Sequence, residues 1–360
     1  MNNLPFVSVV VCIYNGDGTL SKAIDSLLNQ GYPRDKYEII LLNDGSKNDC
    51  ESICLDFLDK QQSVLPKITY AHQKNAGLGS ARNSGISLSK GDIIAFIDQD
   101  ATANVEWISE LVKAFGDDMK VGVVGGKIDN LNADKAFPRF IHWAHYYMEN
   151  SRGKEIIPIV GTNMAFRKEV FSEQRGFFEN FVACGDETSL VKIKVLPHYR
   201  SAQTKGAVVL HERPWSLRQW LRERFRNGHE YALQRKLGKA DRIQNFLYAL
   251  SRLSTLMIPF LFLPVIIQPA LWSLIIASVI PLFLSYRCFV RDSILTRIRI
   301  LAREYSVLQL AWTVPAYIML TLSGKFLDDY GFMRGARKYS GAEGRDIITS
   351  AKIQRTLFNS

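Results

Sequence analysis

Two carboxylates two residues apart, Asp98 and Asp100, leave the end of the apolar run Ile93-Ile94-Ala95-Phe96-Ile97. Hard oxygen ligands placed this way suit Mg²⁺ or Mn²⁺ bridging to a diphosphate. Such a cation would neutralise charge on a leaving phosphate. Most D-x-D pairs are solvated turns, and it is the apolar strand ahead of this one that favours the metal. Asn43-Asp44-Gly45-Ser46 also closes an apolar run. A carboxylate there can accept from a base or ribose donor, and the four residues are equally good turn chemistry. Between Asn75 and Gly85, the glycines at 77, 79 and 85 let the backbone approach a ligand closely. Arg82 in the same stretch can pair with a phosphate. The segment has neither the G-x-G-x-x-G form nor the Walker G-K-[ST] ending, which disfavours NAD binding and P-loop ATPase chemistry.

These polar motifs need elements to hold them. Phe6 to Ile13, Tyr37 to Leu42, Ile68 to Ala71 and Ile93 to Ile97 are short, apolar runs and read as strands. Between them, Leu20 to Leu28 has helical spacing, with Leu20, Ala23, Ile24, Leu27 and Leu28 on one face. Ile53, Leu55, Phe57 and Leu58 mark a second helix, and Ser80 to Leu88 a third. Strands alternating with helices predict an α/β fold with a mostly parallel, open, Rossmann-like sheet. In such sheets ligands bind at the carboxyl ends of the strands, where all three motifs sit.

The character changes after about residue 210. Arg213 to Arg242 holds nine Lys/Arg against three Asp/Glu. Leu217, Leu221 and Phe225 recur every fourth residue, as do Arg218, Arg222 and Arg226, with Trp215 and Trp220 among them. That pattern fits an amphipathic helix at a membrane surface and equally an ordinary surface helix. Leu253 to Tyr286 then contains no charged residue and is about twice the length of one span. Its prolines at 259, 264, 269 and 281 point to two short helices in a hairpin. A further uncharged run covers Tyr305 to Gly324. Arg287, Arg291, Arg297, Arg299 and Arg303 lie between, so cations flank the hairpin on both sides. The positive-inside rule puts both flanks in the cytoplasm. The expected organisation is a catalytic domain over 1–235, with 213–242 as a basic interfacial segment. A membrane-associated helical region over 243–360 would follow it.

The 360 residues are 47% hydrophobic and 22% charged, which excludes a disordered chain. The formal charge of +10 asks for an anionic partner. Nucleic acid would explain the charge but not the long uncharged runs beside it, so membrane lipid and a phosphorylated ligand are the expected partners. The five cysteines are scattered, without zinc-like spacing, and read as reduced structural thiols. The first apolar run lacks a basic leader and a cleavage site, so the catalytic part is expected at the cytoplasmic face of the cell membrane.

Taken in order, Val7-Ser8-Val9-Val10-Val11-Cys12-Ile13-Tyr14-Asn15, Asn43-Asp44-Gly45-Ser46, Asn75 to Asn83 and Asp98-Gln99-Asp100 resemble the motifs of family 2 glycosyltransferases. Cys12 stands where that family often carries proline. The resemblance covers about the first 230 residues and implies the GT-A fold. It implies that Tyr14, Asn15 and Asp44 hold the nucleotide base, and that Gly77 and Arg82 line the nucleotide. Asp98 would approach ribose and metal, and Asp100 the metal. His211 would complete the metal site, since a histidine ending such a run ligates the metal in several GT-A enzymes. Gly161-Thr162-Asn163 resembles the strand that floors the acceptor site. Gly185-Asp186-Glu187-Thr188-Ser189-Leu190 resembles the G-E-D-x-x-L segment with its two acids exchanged. Glu187 then falls on the general-base position, with Asp186 beside it. Arg218 to Glu223 is close to the Q-x-x-R-W signature of processive synthases but lacks the final tryptophan, which argues against a processive polymerase.

The resemblance implies an inverting transfer of a sugar from a nucleotide-diphosphate donor, a UDP-sugar first, with Mg²⁺ or Mn²⁺. The acceptor would be a hydroxyl of a lipid-linked or growing saccharide. Transfer to a polyisoprenyl phosphate is the alternative acceptor chemistry, and such an anion needs no base. A membrane scaffold that kept the fold without catalysis is the non-enzymatic alternative.

Overall fold

The computed structural model describes residues 4–16, 18–60, 65–146, 159–174, 176–177, 190–191, 195–237, 300–301, 303, 327, 329–334 and 337. The expectations for Asp186 and Glu187, for the uncharged runs 253–286 and 305–324, and for the arginines from 287 to 299 lie outside these residues. The chain divides into two compact units. One draws on Met1–Ala133, Ile157–Arg213 and Ser350–Ser360, the other on Asp134–Ile156 and Pro214–Thr349.

In the first unit, apolar runs rich in Val and Ile make the strands β1 (Val7–Ile13), β2 (Tyr37–Asn43), β3 (Lys67–His72) and β4 (Ile93–Asp98). β1 lies parallel to β2 and to β4, and β2 parallel to β3. The helices α1 (Thr19–Leu28), α2 (Cys50–Lys60) and α3 (Leu78–Leu88) connect them. α1 buries Leu20, Ala23, Ile24 and Leu27, the stripe its spacing predicts. α2 differs from its reading. It begins at Cys50, buries Cys50 and Cys54, and leaves Leu55 exposed. Both thiols are free, and burial pushes that of Cys54 up to about 12, as suits an inert core group.

Beyond residue 100 the sheet departs from the mostly parallel expectation. β5 (Ala101–Ala103), α4 (Trp107–Phe115), β6 (Val121–Asn130), β7 (Asn163–Arg167) and β8 (Arg200–His211) follow. The spatial order is β3-β2-β1-β4-β7-β6-β8-β5. β7 runs antiparallel to both β4 and β6, and β5 antiparallel to β8, while β6 and β8 are parallel. The sheet is mixed. Helices still separate the later strands, but β7 enters between β4 and β6 in the opposite direction, so alternation alone does not fix strand direction there.

Strand alternation sorts the core onto two faces. Val9, Val11, Ile39 and Leu41 pack with residues of α1, α2 and α4. Val10, Ile40, Ile94 and Phe96 pack with Met164 and Phe166 of β7 and with Phe171 and Phe177. Phe96 meets Phe177 edge-on with ring centroids 5.3 Å apart, a favoured aromatic geometry.

The second unit is helical where it is described. α5 (Ala136–Ile141) leads into a π-helical turn (His142–Tyr146). The helix α6 (Lys168–Gln174) belongs to the first unit, and α7 (Leu217–Leu237) to the second. The Tyr146 hydroxyl donates to Glu223 Oε2 at 2.8 Å, and Phe225 stacks against Tyr330 at 5.7 Å. Trp220, grouped by sequence with the surface aromatics, is fully buried, with Arg224 over its ring. No helix among the described residues is long and apolar enough to cross a membrane.

Candidate active site

Register puts the charged groups together. β4 ends at Asp98, the chain turns through Gln99 and Asp100, and β5 begins at Ala101. β5 pairs Ala101 with His211, the last residue of β8. The imidazole therefore arrives beside Asp100, with His211 Nε2 3.3 Å from Asp100 Oδ1 and 3.7 Å from Asp98 Oδ2. One ligand atom from each of Asp98, Asp100 and His211 lies within 4.8 Å of the others. Two carboxylate oxygens and one imidazole nitrogen fit a divalent cation such as Mn²⁺ or Mg²⁺.

Burial disfavours charge on Asp100, but the hydrogen bond and charge of His211 outweigh it and hold the carboxyl below the usual range. Burial likewise pulls His211 down, and the hydrogen bond and charge of Asp100, joined by Asp98, leave it above the usual imidazole range. Arg213, buried on the next turn of chain, lowers both. Its backbone is clamped by Asn132, which accepts from Arg213 N at 3.1 Å and donates to Arg213 O at 2.9 Å.

Asp98 is held from two further sides. Thr162 Oγ1 donates to Asp98 Oδ2 at 2.5 Å, and Arg82 Nη2 lies 3.8 Å from Oδ1. Arg82 is itself buried, with its guanidinium over the Phe177 ring. It also lies against the backbone of Gly161, where a Cβ would meet Nη2, so residue 161 must be small for the arginine to reach Asp98.

At the ends of β1 and β2, three loops interlock. Asn15 takes a left-handed φ of 50°. Its N–H donates to Ser46 Oγ at 2.9 Å, and its side chain accepts from Lys47 N at 2.8 Å. Gly45 has φ +69°, and a Cβ there would sit 2.6 Å from Asn75 N, so glycine is required twice over. Asp44 accepts from Ala76 N and Gly77 N at 2.9 Å, from Gln73 Nε2 at 2.7 Å and from Asn75 Nδ2 at 3.3 Å.

Residues 8–175 match the family model described as Glycosyl transferase family 2. Over those residues the chain is similar to family 2 glycosyltransferases. Among curated proteins, the probable glycosyltransferase YdaM of Bacillus subtilis (strain 168) is 29% identical over 248 residues, 66% of this chain and 59% of that one. The glucosyl-dolichyl phosphate glucuronosyltransferase of Haloferax volcanii is 30% identical over 189 residues, 50% of this chain and 58% of that one. The chain thus spans under two thirds of the length of these relatives. Among solved structures, the mannosyltransferase PcManGT from Pyrobaculum calidifontis, in complex with GDP-Man and Mn²⁺, has the same fold. Its TM-score is 0.55 at 17% identity, covering 91% of this chain and 87% of that one.

The side chains that the resemblance places at the site have these surroundings. Asn163, expected at the acceptor site, has its side chain in the core. It is fully buried, accepts from Trp107 Nε1 at 2.8 Å, and donates to Lys127 O and Ala207 O at 2.8 and 2.9 Å. Its bonds fasten α4, β6 and β8 to β7. Thr162 spends its hydroxyl on Asp98, and Gly161 makes room for Arg82. The Asp44 carboxylate is committed to four protein donors, which fills the usual acceptor capacity of such a group. It shapes the loop at 73–77, and Gly77 is the cap of α3 with φ 90°. Tyr14 is 44% exposed at the rim.

Sequence reading passed over Gln99, the residue between the two carboxylates of the candidate metal cluster. Its amide grips the backbone of Tyr14 like a strand partner. Tyr14 N donates to Gln99 Oε1 at 3.0 Å, and Gln99 Nε2 donates to Tyr14 O at 3.1 Å. The metal turn and the loop expected to hold the base are thereby one unit. Gln99→Ala is expected to raise the donor Kd about 10-fold, the worth of two modest hydrogen bonds. Saturated kcat should stay within about threefold, because no reacting group is removed. Donor titration beside initial rates checks this, and an unchanged Kd would rule out the linkage.

Proposed function

We propose that the chain is an inverting glycosyltransferase that moves a sugar from a nucleoside-diphosphate donor to a hydroxyl of a lipid-linked or growing saccharide. The proposed setting is the cytoplasmic face of the cell membrane. The observation that carries the reading is the Asp98–Asp100–His211 cluster at the carboxyl ends of the strands, beside the interlocked loops of a stretch similar to family 2 glycosyltransferases. Asp98, Asp100 and His211 would hold Mg²⁺ or Mn²⁺, which when bound neutralises charge on the departing diphosphate. Thr162 and Arg82 hold Asp98 in place. Tyr14 and the loops at 43–48 and 73–77 would seat the nucleoside.

The acceptor oxygen forms its bond to the anomeric carbon as the bond to the diphosphate oxygen breaks and that electron pair leaves with the nucleoside diphosphate. The acceptor proton passes to Glu187, whose assignment rests on the motif it shares with the family. A sugar hydroxyl is a poor nucleophile unless that proton leaves during attack. UDP-sugars are the favoured donors, and GDP-mannose, bound by the structural neighbour from Pyrobaculum, is the first comparison. The Haloferax relative is named for glucosyl-dolichyl phosphate, a lipid-linked sugar, which agrees with the acceptor class proposed.

The test incubates the full chain with UDP-, GDP- and dTDP-sugars, Mn²⁺ and a lipid-linked saccharide extract, and reads nucleoside diphosphate release. Acceptor-dependent release with one nucleotide class is expected. Failure of every donor to bind or turn over would overturn the reading.

A further inference from the structure

The second unit carries an unusual balance of charge. From Pro214 onward, the exposed charged side chains among the described residues are Arg218, Arg222, Arg226, Arg303, Arg334 and Arg337. Every one is an arginine. Of the acids of the same stretch whose side chains are described, none is exposed. Glu223 takes the Tyr146 hydroxyl, and Asp329 is fully buried.

The arginines are ordered along helices. Arg218, Arg222 and Arg226 stand at four-residue spacing on α7, so they form one stripe. Just ahead of the stripe, Trp215 and Leu217 are 49% and 46% exposed. Tyr330, Met333, Arg334 and Arg337 fall at i, i+3, i+4 and i+7 of a second helical stretch, again one face, and all four are exposed. The Phe225–Tyr330 ring contact joins the two stretches. The two stretches present aromatic, apolar and arginine side chains, with no exposed acid among the side chains described.

We infer that this surface docks on an anionic phospholipid bilayer. Arginine forks pair with phosphate oxygens, two bonds at a time. Tryptophan and tyrosine with an apolar neighbour settle at the level of the headgroups. The charge is complementary to such a surface and to no neutral one. Nucleic acid shares the phosphate chemistry but gives Leu217 and Met333 nothing apolar to enter. The inference shares its membrane setting with the proposed reaction, and its test uses binding without turnover, so either can fail alone.

The full chain is mixed with preformed vesicles of phosphatidylcholine alone, or with added phosphatidylglycerol, and co-flotation is measured. Each arginine near an anionic surface is worth roughly fivefold in affinity, so Arg218→Gln/Arg222→Gln/Arg226→Gln should lose about 10²-fold on the anionic vesicles. The preference of the native chain for anionic over neutral vesicles should also fall as salt rises. Trp215→Ser/Leu217→Ser should weaken binding to both vesicle types. Circular dichroism and donor binding confirm that each variant is folded. Equal flotation of the native chain and the triple variant on anionic vesicles would overturn the proposal. A triple variant that kept vesicle binding but lost affinity for a short RNA duplex would assign the surface to nucleic acid instead.

Discussion

Asp100→Asn is expected to abolish sugar transfer and to weaken Mn²⁺ and donor binding together. The substitution keeps size but removes the one charge that is closest to His211 Nε2, at 3.3 Å. A neutral amide oxygen is a weaker ligand for a hard cation, and the imidazole loses the partner that orients it. Loss of even an outer-shell partner of a metal ligand costs about 10–100-fold in affinity or activity, so loss of the ligand itself should exceed about 10²-fold. Asp98→Asn should do more damage, because it also leaves buried Arg82 without the carboxylate at 3.8 Å. Calorimetric titration of Mn²⁺ with and without donor, beside initial rates, measures both effects. Full transfer by Asp100→Asn, or by the native chain in excess EDTA, would remove the metal from the reading.

At Glu187 the expected effect falls on rate and spares binding. Glu187→Gln keeps size and most hydrogen bonding but cannot take a proton. Donor affinity should change little while kcat falls by roughly 10²–10⁴-fold, the usual worth of a positioned base. Asp186→Asn should cost less if Asp186 only orients its neighbour. The reverse ranking would show that the exchanged acids of this segment are read in the wrong register. Near-normal transfer by both variants would favour a polyisoprenyl phosphate acceptor, whose oxygen is already anionic. The comparison needs initial rates and a donor titration for both variants in one detergent, with folding verified first.

The first hundred residues are legible because each local rule agrees there. The β-branched runs, the helical stripe of α1 and the turn residues at strand ends all point to the same parallel layer, and β1 to β4 form it. The second half of the sheet is illegible for a physical reason. β5 is three residues long, too short for any periodicity, and exists because β8 pairs with it. β7 reads as a strand, but nothing in Asn163–Arg167 states that its neighbours run the other way.

The site divides in the same manner. Asp98 and Asp100 could be found from their place after an apolar strand. His211 was brought in by family resemblance, and it is register that explains its position. The bonds of Asn163 to Trp107, Lys127 and Ala207 are not legible in the motif, because a motif does not say which face of a strand a side chain takes. Gln99 was passed over because an amide between two carboxylates has no chemistry of its own; its role is visible only once Tyr14 is beside it.

The pairing of Ala101 with His211 also bears on how the protein matures. The two aspartates are translated early and the histidine roughly a hundred residues later, an interval of about 5–20 s at ordinary ribosome speeds. Through that interval β1 to β4 can already pair with one another, although β4 must wait for β7 on its other side. β5 cannot, since its strand partner among the described residues is β8. Asp98 and Asp100 would therefore wait for the third group of the cluster, and a cation held by all three could not be a template for the early core. A chain stalled before β8 would leave an ordered nucleotide-facing half with no complete seat for the ion. Metal loading should then be a late step in biogenesis, separable in time from the folding of the layer that displays it.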